Sequence, residues 1–508
     1  MGVENPEKAT RPISVDEISR HTSSEDLWLV VDGIVYDLTQ FLPEHPGGPT
    51  ILLQYAGRDA TAAYSEVHSP SLIQTSLPAS SRIGVLDKTT ITEEWAKPPP
   101  QARGSPRKTV EKPPLDTLIN ARDFEIAAKA SFTPKAWAFV SSAATDCLTK
   151  ERNGSTYNDI ILRPRVLKDV RNVDVGTAIL GHHIKAPIFC APTSMGRIFH
   201  PEGERELGRG CQRLGIPQCV STSCSYSLPE VMDAVEGEAR ETNSELGAVP
   251  VFFQLYVDRN RGKSEKLLQM VRERGVKAIF VTIDAPVIGK READERVKSD
   301  ENLRAPMSGA QAKNDKKGGA LGRLMGNFID ASLTWDDVAW VRKHAPGLPI
   351  VLKGIQTAAD AVKAMEIDVN AIYLTNHGGR SLDTSPATVL VLLELQKCCP
   401  QIFDKMEVYI DGGITRGTDI FKALCLGARA VGIGRGFLFS LNYGKEGIEH
   451  FINILVDELV TTMQMCGITS LDQVHPGLLH TGAVDHLVPG SEEHPYAKWR
   501  PKSRSSRL

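Results

Sequence analysis

The 508-residue sequence contains no apolar run approaching the roughly 20 residues that span a lipid bilayer. It also has no excess of basic residues, because its formal net charge is −3, and so it carries no electrostatic footprint for nucleic acid or for an anionic membrane surface. Its first residues show neither the apolar core of a secretory signal nor the Arg- and Ser-rich pattern of a transit peptide. The sequence therefore predicts neither a nucleic-acid partner nor a membrane partner.

Cysteine never occurs in a Cys-x-x-Cys pattern, and the nine cysteines form an odd set. Both observations argue against a disulfide framework and against a cysteine-based metal site. Most cysteines lie in apolar stretches, which is typical of reduced, buried thiols. The last three residues, Ser506-Arg507-Leu508, are a basic variant of the Ser-Lys-Leu peroxisomal address. We therefore expect the peroxisome as the compartment, with the cytoplasm as the alternative.

Composition divides the chain into two folded units. In residues 12–87, apolar runs on both sides of Asp32-Gly33 predict a β-hairpin, and short helical patterns follow, so this segment is predicted to be a small α+β unit. Residues 88–114 are rich in proline and poor in apolar residues, which is typical of a semi-extended linker. Residues 115–475 form the second predicted unit, and residues 476–508 form a C-terminal tail.

Eight short apolar runs alternate with helix-length segments in the second unit, which is the count of an α/β (β/α)8 (TIM) barrel. The runs are 188–191, 218–221, 251–256, 278–284, 350–353, 371–376, 408–411 and 430–434. Chemistry in this fold lies at the carboxyl ends of the strands, so the polar residues there are candidates for a site. A long polar insertion at 292–327 predicts a lid or a disordered segment, with a tolerated surface insertion as the alternative.

The segment 375–380 (Thr-Asn-His-Gly-Gly-Arg) follows the sixth run. The imidazole of His377 can accept a proton near neutral pH, and the guanidinium of Arg380 can hold a carboxylate with two parallel hydrogen bonds. This pair indicates chemistry on the carbon atom next to a carboxylate. Taken alone, the segment also fits an ordinary strand-to-helix turn with a solvated basic residue.

Two histidines of the first unit have the surroundings of haem ligands. His45 stands in Phe-Leu-Pro-Glu-His-Pro-Gly-Gly at 41–48, where the proline and glycines end a helix and let the backbone approach a porphyrin edge, and His68 precedes a serine. With Trp28 and Val-Tyr-Asp at 35–37, this segment resembles the cytochrome b5 family. The resemblance implies His45 and His68 as the two axial ligands of haem b (protohaem IX), which then transfers electrons rather than activating oxygen.

The second unit resembles the FMN-dependent α-hydroxy-acid dehydrogenases and oxidases. The matching segments occur in the same order along the chain: 115–125, 191–193, 253–257, 281–286, 353–354, 376–380, 411–413 and 434–435. The resemblance implies FMN as cofactor and a small L-2-hydroxy acid as substrate, with L-lactate as the default. A haem unit in front of such a barrel implies a one-electron acceptor such as cytochrome c. Family members often form homotetramers.

The resemblance also implies a role for each residue at the strand ends. His377 is the expected base, and Asp284 is the expected partner of the resulting imidazolium. Arg380 and Arg291 are expected to bind the substrate carboxylate, and Tyr256 the substrate hydroxyl. The expected flavin contacts are Pro192, Thr193, Ser194, Ser221, Gln254, Thr282 and Lys353, and the expected phosphate corner is Asp411, Gly412, Gly413, Gly434 and Arg435. Loss of a proton and loss of a hydride from the α-carbon are both compatible with this set.

Three positions depart from the family pattern. Phe139 stands where a tyrosine hydroxyl usually helps to hold the substrate carboxylate, and losing one charge-assisted hydrogen bond costs about 1.5–3 kcal/mol. Thr415 replaces a phosphate-binding arginine, although Arg416 is adjacent, so that phosphate binding would depend more on Arg435. Ser223 replaces a leucine or tryptophan over the substrate side chain, which suggests a roomier or more polar pocket.

Three functions fit these observations. The first is a haem- and FMN-containing L-2-hydroxy-acid dehydrogenase. The second is a peroxisomal oxidase in which the reduced flavin reacts with O2. The third is a redox module whose barrel binds flavin without turnover, which Phe139 and Thr415 motivate.

Overall fold

The structure is a computed structural model that describes residues 11–45, 49–61, 64, 73, 77–96, 112–243, 247–299, 303–312, 314 and 321–489. The chain divides into two compact units, residues 1–112 with 314–318 and residues 113–313 with 319–508. His68, residues 46–48, the stretch 97–111 of the predicted linker and the C-terminal Ser506-Arg507-Leu508 lie outside the described residues. Among the described residues, no helix is both long and apolar enough to span a membrane.

The first unit is built on a five-stranded mixed sheet. In sheet order its strands are Pro12–Ile13, Arg82–Leu86, Ile34–Asp37, Asp26–Val31 and Thr22–Ser23, of which only the first pair is parallel. Its helices among the described residues are Val15–Ile18, Pro49–Gln54 and Glu93–Ala96, with 3-10 turns at Leu42–Glu44, Ala79–Ser81 and Lys88–Thr90. Asp32 and Gly33 both have positive φ (52° and 74°), as a two-residue hairpin turn requires, so the predicted hairpin is confirmed.

Apolar side chains alternate between the two faces of this sheet and form two cores. Leu29 and Tyr36 belong to one buried cluster, whereas Val30 and Val35 belong to the other. Trp95 joins the second cluster, and its indole N–H donates to the Gly57 carbonyl (2.9 Å). The stretch 88–96, which the sequence pattern assigned to the linker, is therefore folded into the first unit.

The second unit contains a closed barrel of eight parallel strands, which confirms the predicted fold. The strands are β1 (Ile188–Thr193), β2 (Gln218–Ser221), β3 (Val251–Leu255), β4 (Ile279–Thr282), β5 (Ile350–Ile355), β6 (Ala371–Leu374), β7 (Glu407–Ile410) and β8 (Ala430–Ile433). Each strand pairs with the next, and β8 pairs with β1. The carboxyl ends of all eight strands therefore meet at one rim.

Helices follow the strands and cover the outside of the barrel. They are Gly203–Arg213, Leu228–Glu241, Arg261–Glu273, Asp337–His344, Ala358–Glu366, Thr388–Cys398, Ile402–Lys405, Gly417–Cys425, Arg435–Ser440 and Gly444–Met465. Three further helices precede β1, namely Ala121–Ser131, Pro134–Ser141 and Leu148–Asn158, and the 3-10 turns are Leu115–Thr117, Gly196–Ile198, Leu441–Tyr443, Leu471–Gln473, Pro476–Leu478 and Asp485–Leu487. Several helices begin at a capping side chain: Thr357, for example, accepts the Asp360 N–H (3.1 Å).

Aromatic rings fill the interior of the barrel. Phe189, Phe252, Phe280, Tyr373 and Tyr409 are essentially fully buried and belong to one cluster. The hairpin formed by Thr177–Ile179 and His182–Ile184 contributes to the same cluster. A second short antiparallel pair, Ile161–Leu162 with Leu479–His480, lies outside the barrel.

The described part of the insertion after β4 is folded. It contains helix Glu292–Arg296, the antiparallel pair Arg304–Ala305 and Ala310–Gln311, and helix Leu321–Met325. Buried Ala305 and Leu321 pack with Phe139 and Met195. The Lys135 ammonium donates to the Asp294 carboxylate (2.6 Å) and anchors helix Glu292–Arg296 to helix Pro134–Ser141. Of the expectations for this insertion, a lid agrees with these contacts and a wholly disordered segment does not.

Candidate active site

A cavity with about 700 Å³ of empty space, part of it open to solvent, lies at the carboxyl-end rim of the barrel. The predicted site residues that line it are Pro192, Ser194, Ser221, Gln254, Tyr256, Arg291, Lys353, His377 and Arg380. Two of the departures, Phe139 and Ser223, also line it. The predicted residues outside this lining are Thr193, Thr282, Asp284, Asp411, Gly412, Gly413, Gly434 and Arg435.

The imidazole of His377 lies between an acid and a phenol. Its Nδ1 is 3.2 Å from both carboxylate oxygens of Asp284, and its Nε2 is 3.2 Å from the hydroxyl of Tyr256. The Asp284 side chain is fully buried, whereas a quarter of the His377 side chain is exposed. Because a carboxylate on Nδ1 favours a proton on that nitrogen, Nε2 is the nitrogen that can accept a proton on the cavity side.

The backbone at His377 adopts an uncommon conformation. Its φ is +60°, and its N–H donates to the Thr375 hydroxyl (2.9 Å). Gly378 and Gly379 follow with φ of +63° and +78°. A left-handed conformation at a residue other than glycine is held in place by its surroundings and is often found at functional sites. The two glycines thus let the chain turn sharply after β6 and bring His377 and Arg380 to the same cavity.

Charges around the imidazole favour an ionised Asp284 and a protonated Tyr256. Burial by itself raises the pKa of Asp284, but the Lys353 ammonium and His377 outweigh this effect and hold that pKa below its ordinary value. Burial, together with the nearby Asp284 charge, raises the pKa of Tyr256. The site therefore has a negative charge next to Nδ1 of the imidazole and an O–H donor next to Nε2.

Phe139 lies against both predicted carboxylate-binding arginines. The guanidinium carbons of Arg380 and Arg291 are 5.1 Å and 5.4 Å from the centre of its ring, which is within cation–π distance. Arg380 is further held by the carbonyls of Phe139 (2.8 Å) and Ser142 (3.1 Å). The face of an aromatic ring, rather than a hydroxyl, thus supports the two cations.

A buried polar chain crosses three strand ends. The Ser221 hydroxyl donates to Oε1 of Gln254 (2.8 Å), whose Nε2 donates to the Thr282 hydroxyl (2.8 Å). Lys353, at the next strand, is only 3% exposed and lines the cavity. Its ammonium makes no hydrogen bond to any residue that the structure describes. A buried cation in this position fits a bound group that gains negative charge, such as a flavin on reduction.

The predicted phosphate corner lies after β7 and β8. A Cβ on Gly413 would lie 2.0 Å from the Asn153 carbonyl oxygen, so only glycine fits there, whereas a Cβ on Gly434 would meet nothing within 4 Å. Arg435 donates to the carbonyls of Val140 (3.1 Å) and Gly378 (2.8 Å). Burial lowers the pKa of Arg435 to about 10, so its guanidinium remains charged at neutral pH.

Neither Thr415 nor Arg416 takes the place of the missing phosphate-binding arginine. Their backbone N–H groups both donate to Asp419 (3.0 Å) at the start of helix Gly417–Cys425. The Arg416 guanidinium pairs with Glu458 (2.7 Å) on the surface. The greater dependence of a phosphate on Arg435 stays a prediction.

Sequence reasoning missed residues that support the site from a distance. The amide of Asn153 hydrogen-bonds Asn376, next to His377. Asp383 accepts the Thr149 N–H (2.8 Å) and the Thr145 hydroxyl (3.0 Å). Burial opposes its ionisation, but these two donors outweigh burial and lower its pKa to about 2. Asn153 stands in no recognisable motif. Asp383 had one weak signal, its place just after the segment 375–380.

The structure describes one of the two predicted haem ligands. His45 directly follows the 3-10 turn Leu42–Glu44 and is half-buried. Its ring lies 5.8 Å from that of Phe41 in an edge-on arrangement. The role of His45, like that of His68, stays a prediction.

A (β/α)8 barrel whose rim joins an imidazole–carboxylate pair, two arginines and a buried lysine has the side chains of an enzyme site for proton transfer beside an anionic group. The family model of the FMN-dependent dehydrogenases matches residues 128–481, and that of the cytochrome b5-like heme/steroid binding domain matches residues 14–87. The chain belongs to the FMN-dependent dehydrogenase family and carries a cytochrome b5-like domain. The predicted family is confirmed, and the two family models together imply FMN and haem.

Known relatives include proteins with and without a haem domain. An L-lactate dehydrogenase (cytochrome) of Saccharomyces cerevisiae is 39% identical over 92% of this chain and 79% of its own length. A peroxisomal (S)-2-hydroxy-acid oxidase of Oryza sativa subsp. japonica is 37% identical over 70% of this chain and 94% of its own. The recombinant flavin-binding domain of flavocytochrome b2 from baker's yeast has a TM-score of 0.66 at 38% identity, covering 78% of this chain and 94% of that chain.

Proposed function

We propose that the protein oxidises an L-2-hydroxy acid, with L-lactate as the default, to the 2-oxo acid and passes the electrons singly through haem b to a one-electron acceptor such as cytochrome c. The observation that carries this proposal is the imidazole of His377 held between Asp284 and Tyr256, beside Arg380. The oxidation removes two protons and two electrons from the substrate. FMN bound in this barrel would supply the two-electron acceptor.

Arg380 and Arg291 bind the substrate carboxylate in this proposal. The carbonyls of Phe139 and Ser142 fix the position of Arg380, so that little side-chain freedom is lost on binding. Arg291 approaches from the insertion, and its guanidinium packs directly on Gly322. Since Phe139 offers no hydroxyl, the two guanidinium groups carry the recognition of the carboxylate.

His377 takes a proton from the substrate at Nε2. Asp284 then stabilises the resulting imidazolium through Nδ1, because the surrounding charges keep its carboxylate ionised. The Tyr256 hydroxyl, which stays protonated, donates to the substrate oxygen that becomes the carbonyl. A correctly placed base of this kind contributes about 10²–10⁴-fold to the rate.

The cofactor contacts follow from the strand ends. Pro192, Thr193, Ser194, Ser221, Gln254, Thr282 and Lys353 would hold the flavin ring, while Asp411, Gly412, Gly413, Gly434 and Arg435 would hold its ribityl phosphate chain. The Lys353 ammonium would stabilise negative charge on the ring. In the first unit, His45 and His68 would hold haem b, which would supply one-electron transfer. Residues 12–87 and 115–475 would be the two functional domains.

An FMN-dependent 2-hydroxy-acid oxidase that uses O2 is the second candidate. The rice relative, named as a peroxisomal oxidase, favours it. In either case we propose the peroxisome as compartment, with the cytoplasm as the alternative, and a homotetrameric assembly. The two candidates differ in their electron acceptor.

Anaerobic mixing of the full-length protein, loaded with both cofactors, with a panel of L-2-hydroxy acids tests the proposal. We expect flavin bleaching followed by haem reduction, and steady-state turnover with cytochrome c that exceeds peroxide formation in air. Turnover with O2 at the higher rate would favour the oxidase. Absence of flavin bleaching with every acid would refute both.

A further inference from the structure

Glu204 is a buried carboxyl group that the proposed mechanism does not use. It stands in the first turn of helix Gly203–Arg213, and only 1% of its surface is exposed. Its Oε1 accepts hydrogen bonds from the backbone N–H groups of Gly196 (2.8 Å) and Ser225 (2.9 Å). Gly196 belongs to the loop after β1 and Ser225 to the loop after β2. One side-chain oxygen therefore joins two loops at the rim of the barrel.

The loop after β1 is shaped around this carboxyl group. A Cβ on Gly196 would lie 2.9 Å from both the carboxyl carbon and the backbone nitrogen of Glu204, closer than real Cβ atoms come. The preceding residue, Met195, has φ of +60° and is completely buried. The turn at 195–196 is thus fitted to Glu204, and a displaced carboxyl group would move the loop.

Further contacts cross the same gap. The Arg197 N–H donates to the Ser225 hydroxyl (3.1 Å), the Cys224 thiol donates to the Thr193 carbonyl (3.6 Å), and the Tyr226 hydroxyl donates to the Pro201 carbonyl (2.8 Å). Each of these is a single direct hydrogen bond, whereas loss of the Glu204 side chain would leave one backbone N–H of each loop without its acceptor. We therefore expect Glu204 to contribute most to the spacing of the loops.

These two loops carry part of the cavity wall. Ser194 follows β1, Ser223 follows β2, and both line the cavity with His377 and Arg380. Ser223 is 5% exposed, and neither its hydroxyl nor that of Ser194 makes a hydrogen bond to any residue that the structure describes. The separation of the loops sets where these two hydroxyl groups stand relative to a bound acid.

We propose that Glu204 is a positioning residue that, by joining the two loops, places Ser194 and Ser223 and so determines which side chain of the 2-hydroxy acid the cavity accepts. The inference rests on the proposed function. It concerns discrimination among acids rather than the chemical step, because Glu204 does not line the cavity.

The surroundings of the Glu204 carboxyl group indicate which substitution preserves its hydrogen bonds to the two loops. Burial raises the pKa of Glu204, and the N–H donors of Gly196 and Ser225 offset part of this effect. Its Oε2 is buried without a hydrogen-bond partner among the described residues. An unpaired buried oxygen is less costly on a neutral group than on a carboxylate. Glutamine, which has the same shape and keeps the accepting Oε1, is therefore the conservative replacement.

The test compares Glu204→Gln and Glu204→Ala in the full-length protein loaded with its cofactors. For each variant, kcat and KM are measured with L-lactate and with an L-2-hydroxy acid of longer side chain, and binding of the corresponding 2-oxo acids is followed by flavin absorbance. We expect Glu204→Ala to change the ratio of the two kcat/KM values about tenfold through KM, as displaced pocket walls do, while FMN content is kept. Glu204→Gln should restore the wild-type ratio within about twofold.

Glu206→Ala is the matched control. It removes a glutamate from the same helix, one that pairs with Arg209 (2.8 Å) and does not contact either loop, and should leave the ratio unchanged. Ser225→Ala, which removes the neighbouring contact with Arg197 without creating a cavity at Glu204, should shift the ratio in the same direction as Glu204→Ala but less. If Glu204→Ala does not fold, Glu204→Asp replaces it in the comparison, because the shorter side chain keeps the carboxyl group but withdraws it from the N–H groups of Gly196 and Ser225.

Two results would overturn the inference. One is an unchanged ratio in both Glu204→Ala and Ser225→Ala. The other is an equal loss of kcat/KM for all acids, which would make Glu204 a general structural residue. Failure of the proposed function is distinguishable, because the wild-type protein would then show no flavin bleaching with any acid.

Discussion

The side-chain amides of Asn153 and Asn376 exchange two hydrogen bonds, each 2.8 Å long. Asn376 also donates to the Pro386 carbonyl (2.9 Å), and its Oδ1 accepts the Gly379 N–H (3.0 Å). Both residues are almost completely buried. The reciprocal pair ties helix Leu148–Asn158 to the backbone on both sides of His377. It explains how a sharp turn with positive φ holds the proposed base in place.

Replacement of the proposed base tests the role of that turn. We expect His377→Gln to abolish flavin reduction by any 2-hydroxy acid, because no other side chain can accept a proton at the position of Nε2, while both cofactors remain bound. Rapid-mixing absorbance measures this, with a loss of at least about 10²-fold. His377→Asn serves as a second variant because asparagine tolerates left-handed backbone. Loss of FMN from both variants would indicate a structural role instead.

A hydroxyl added at Phe139 should strengthen substrate binding. The ring lies against both arginines and lines the cavity, so Phe139→Tyr brings an O–H donor to the carboxylate. One charge-assisted hydrogen bond is worth about 1.5–3 kcal/mol, so we expect KM to fall by about 10- to 100-fold with little change in kcat. Phe132→Tyr, outside the cavity lining, is the control. An unchanged or higher KM would show that packing against the arginines outweighs the new bond.

The contact between Gly322 and Arg291 offers a test of the insertion as a lid. A Cβ on Gly322 would lie 1.0 Å from the Arg291 guanidinium, so Gly322→Ala must displace that cation. We expect KM to rise severalfold, with little change in kcat, because His377 and Arg380 are untouched. Steady-state kinetics and titration with a 2-oxo acid measure the effect.

Gly237→Ala is the matched control for this displacement. Gly237 is also a helical glycine, but a Cβ there would meet nothing within 4 Å. Alanine at such a position stabilises a helix by about 0.5–1 kcal/mol and should not change KM. An equal KM in the Gly322→Ala variant and the wild type would mean that Arg291 does not contact the substrate.

The lowered pKa of Asp383 should make the free energy of unfolding depend on pH. Its pKa is about 2 in the folded protein, against 3.8 ordinarily, so its contribution is fully present above about pH 4 and is lost as the pH falls towards 2. We expect Asp383→Asn to lower the free energy of unfolding by on the order of 2 kcal/mol at neutral pH, and the difference to shrink below pH 4. Denaturant unfolding at several pH values measures it. A difference that does not depend on pH would contradict the assignment.

Features that repeat along the chain were predictable, whereas contacts between distant segments were not. The eight strands followed from apolar runs at regular spacing, and the carboxyl-end rule alone predicts that His377, Tyr256 and Lys353 lie near one another. Glu204 and Asn153 carry no such signal, because their roles depend on hydrogen bonds to loops far away in sequence. The pairing of Arg416 with Glu458 likewise required the folded structure.

The described part of the insertion shows the same limit. Its polar composition was compatible with a lid, with disorder and with a surface loop. Only the buried cluster that joins Leu321 to Phe139, and the ion pair of Lys135 with Asp294, rule out a wholly disordered segment. Short helices stabilised by such tertiary contacts leave little periodicity in the sequence.

The aromatic layer inside the barrel, with the hairpin Thr177–Ile179 and His182–Ile184 beneath it, has a consequence for turnover. The buried side chains of Phe189, Tyr373 and Tyr409 fill the interior of the barrel, so the candidate site is confined to the carboxyl-end rim. The substrate must therefore enter, and the product leave, through the same opening of the cavity at the carboxyl-end rim. Because product must leave before the next substrate can bind, product release can limit kcat as much as the proton transfer does.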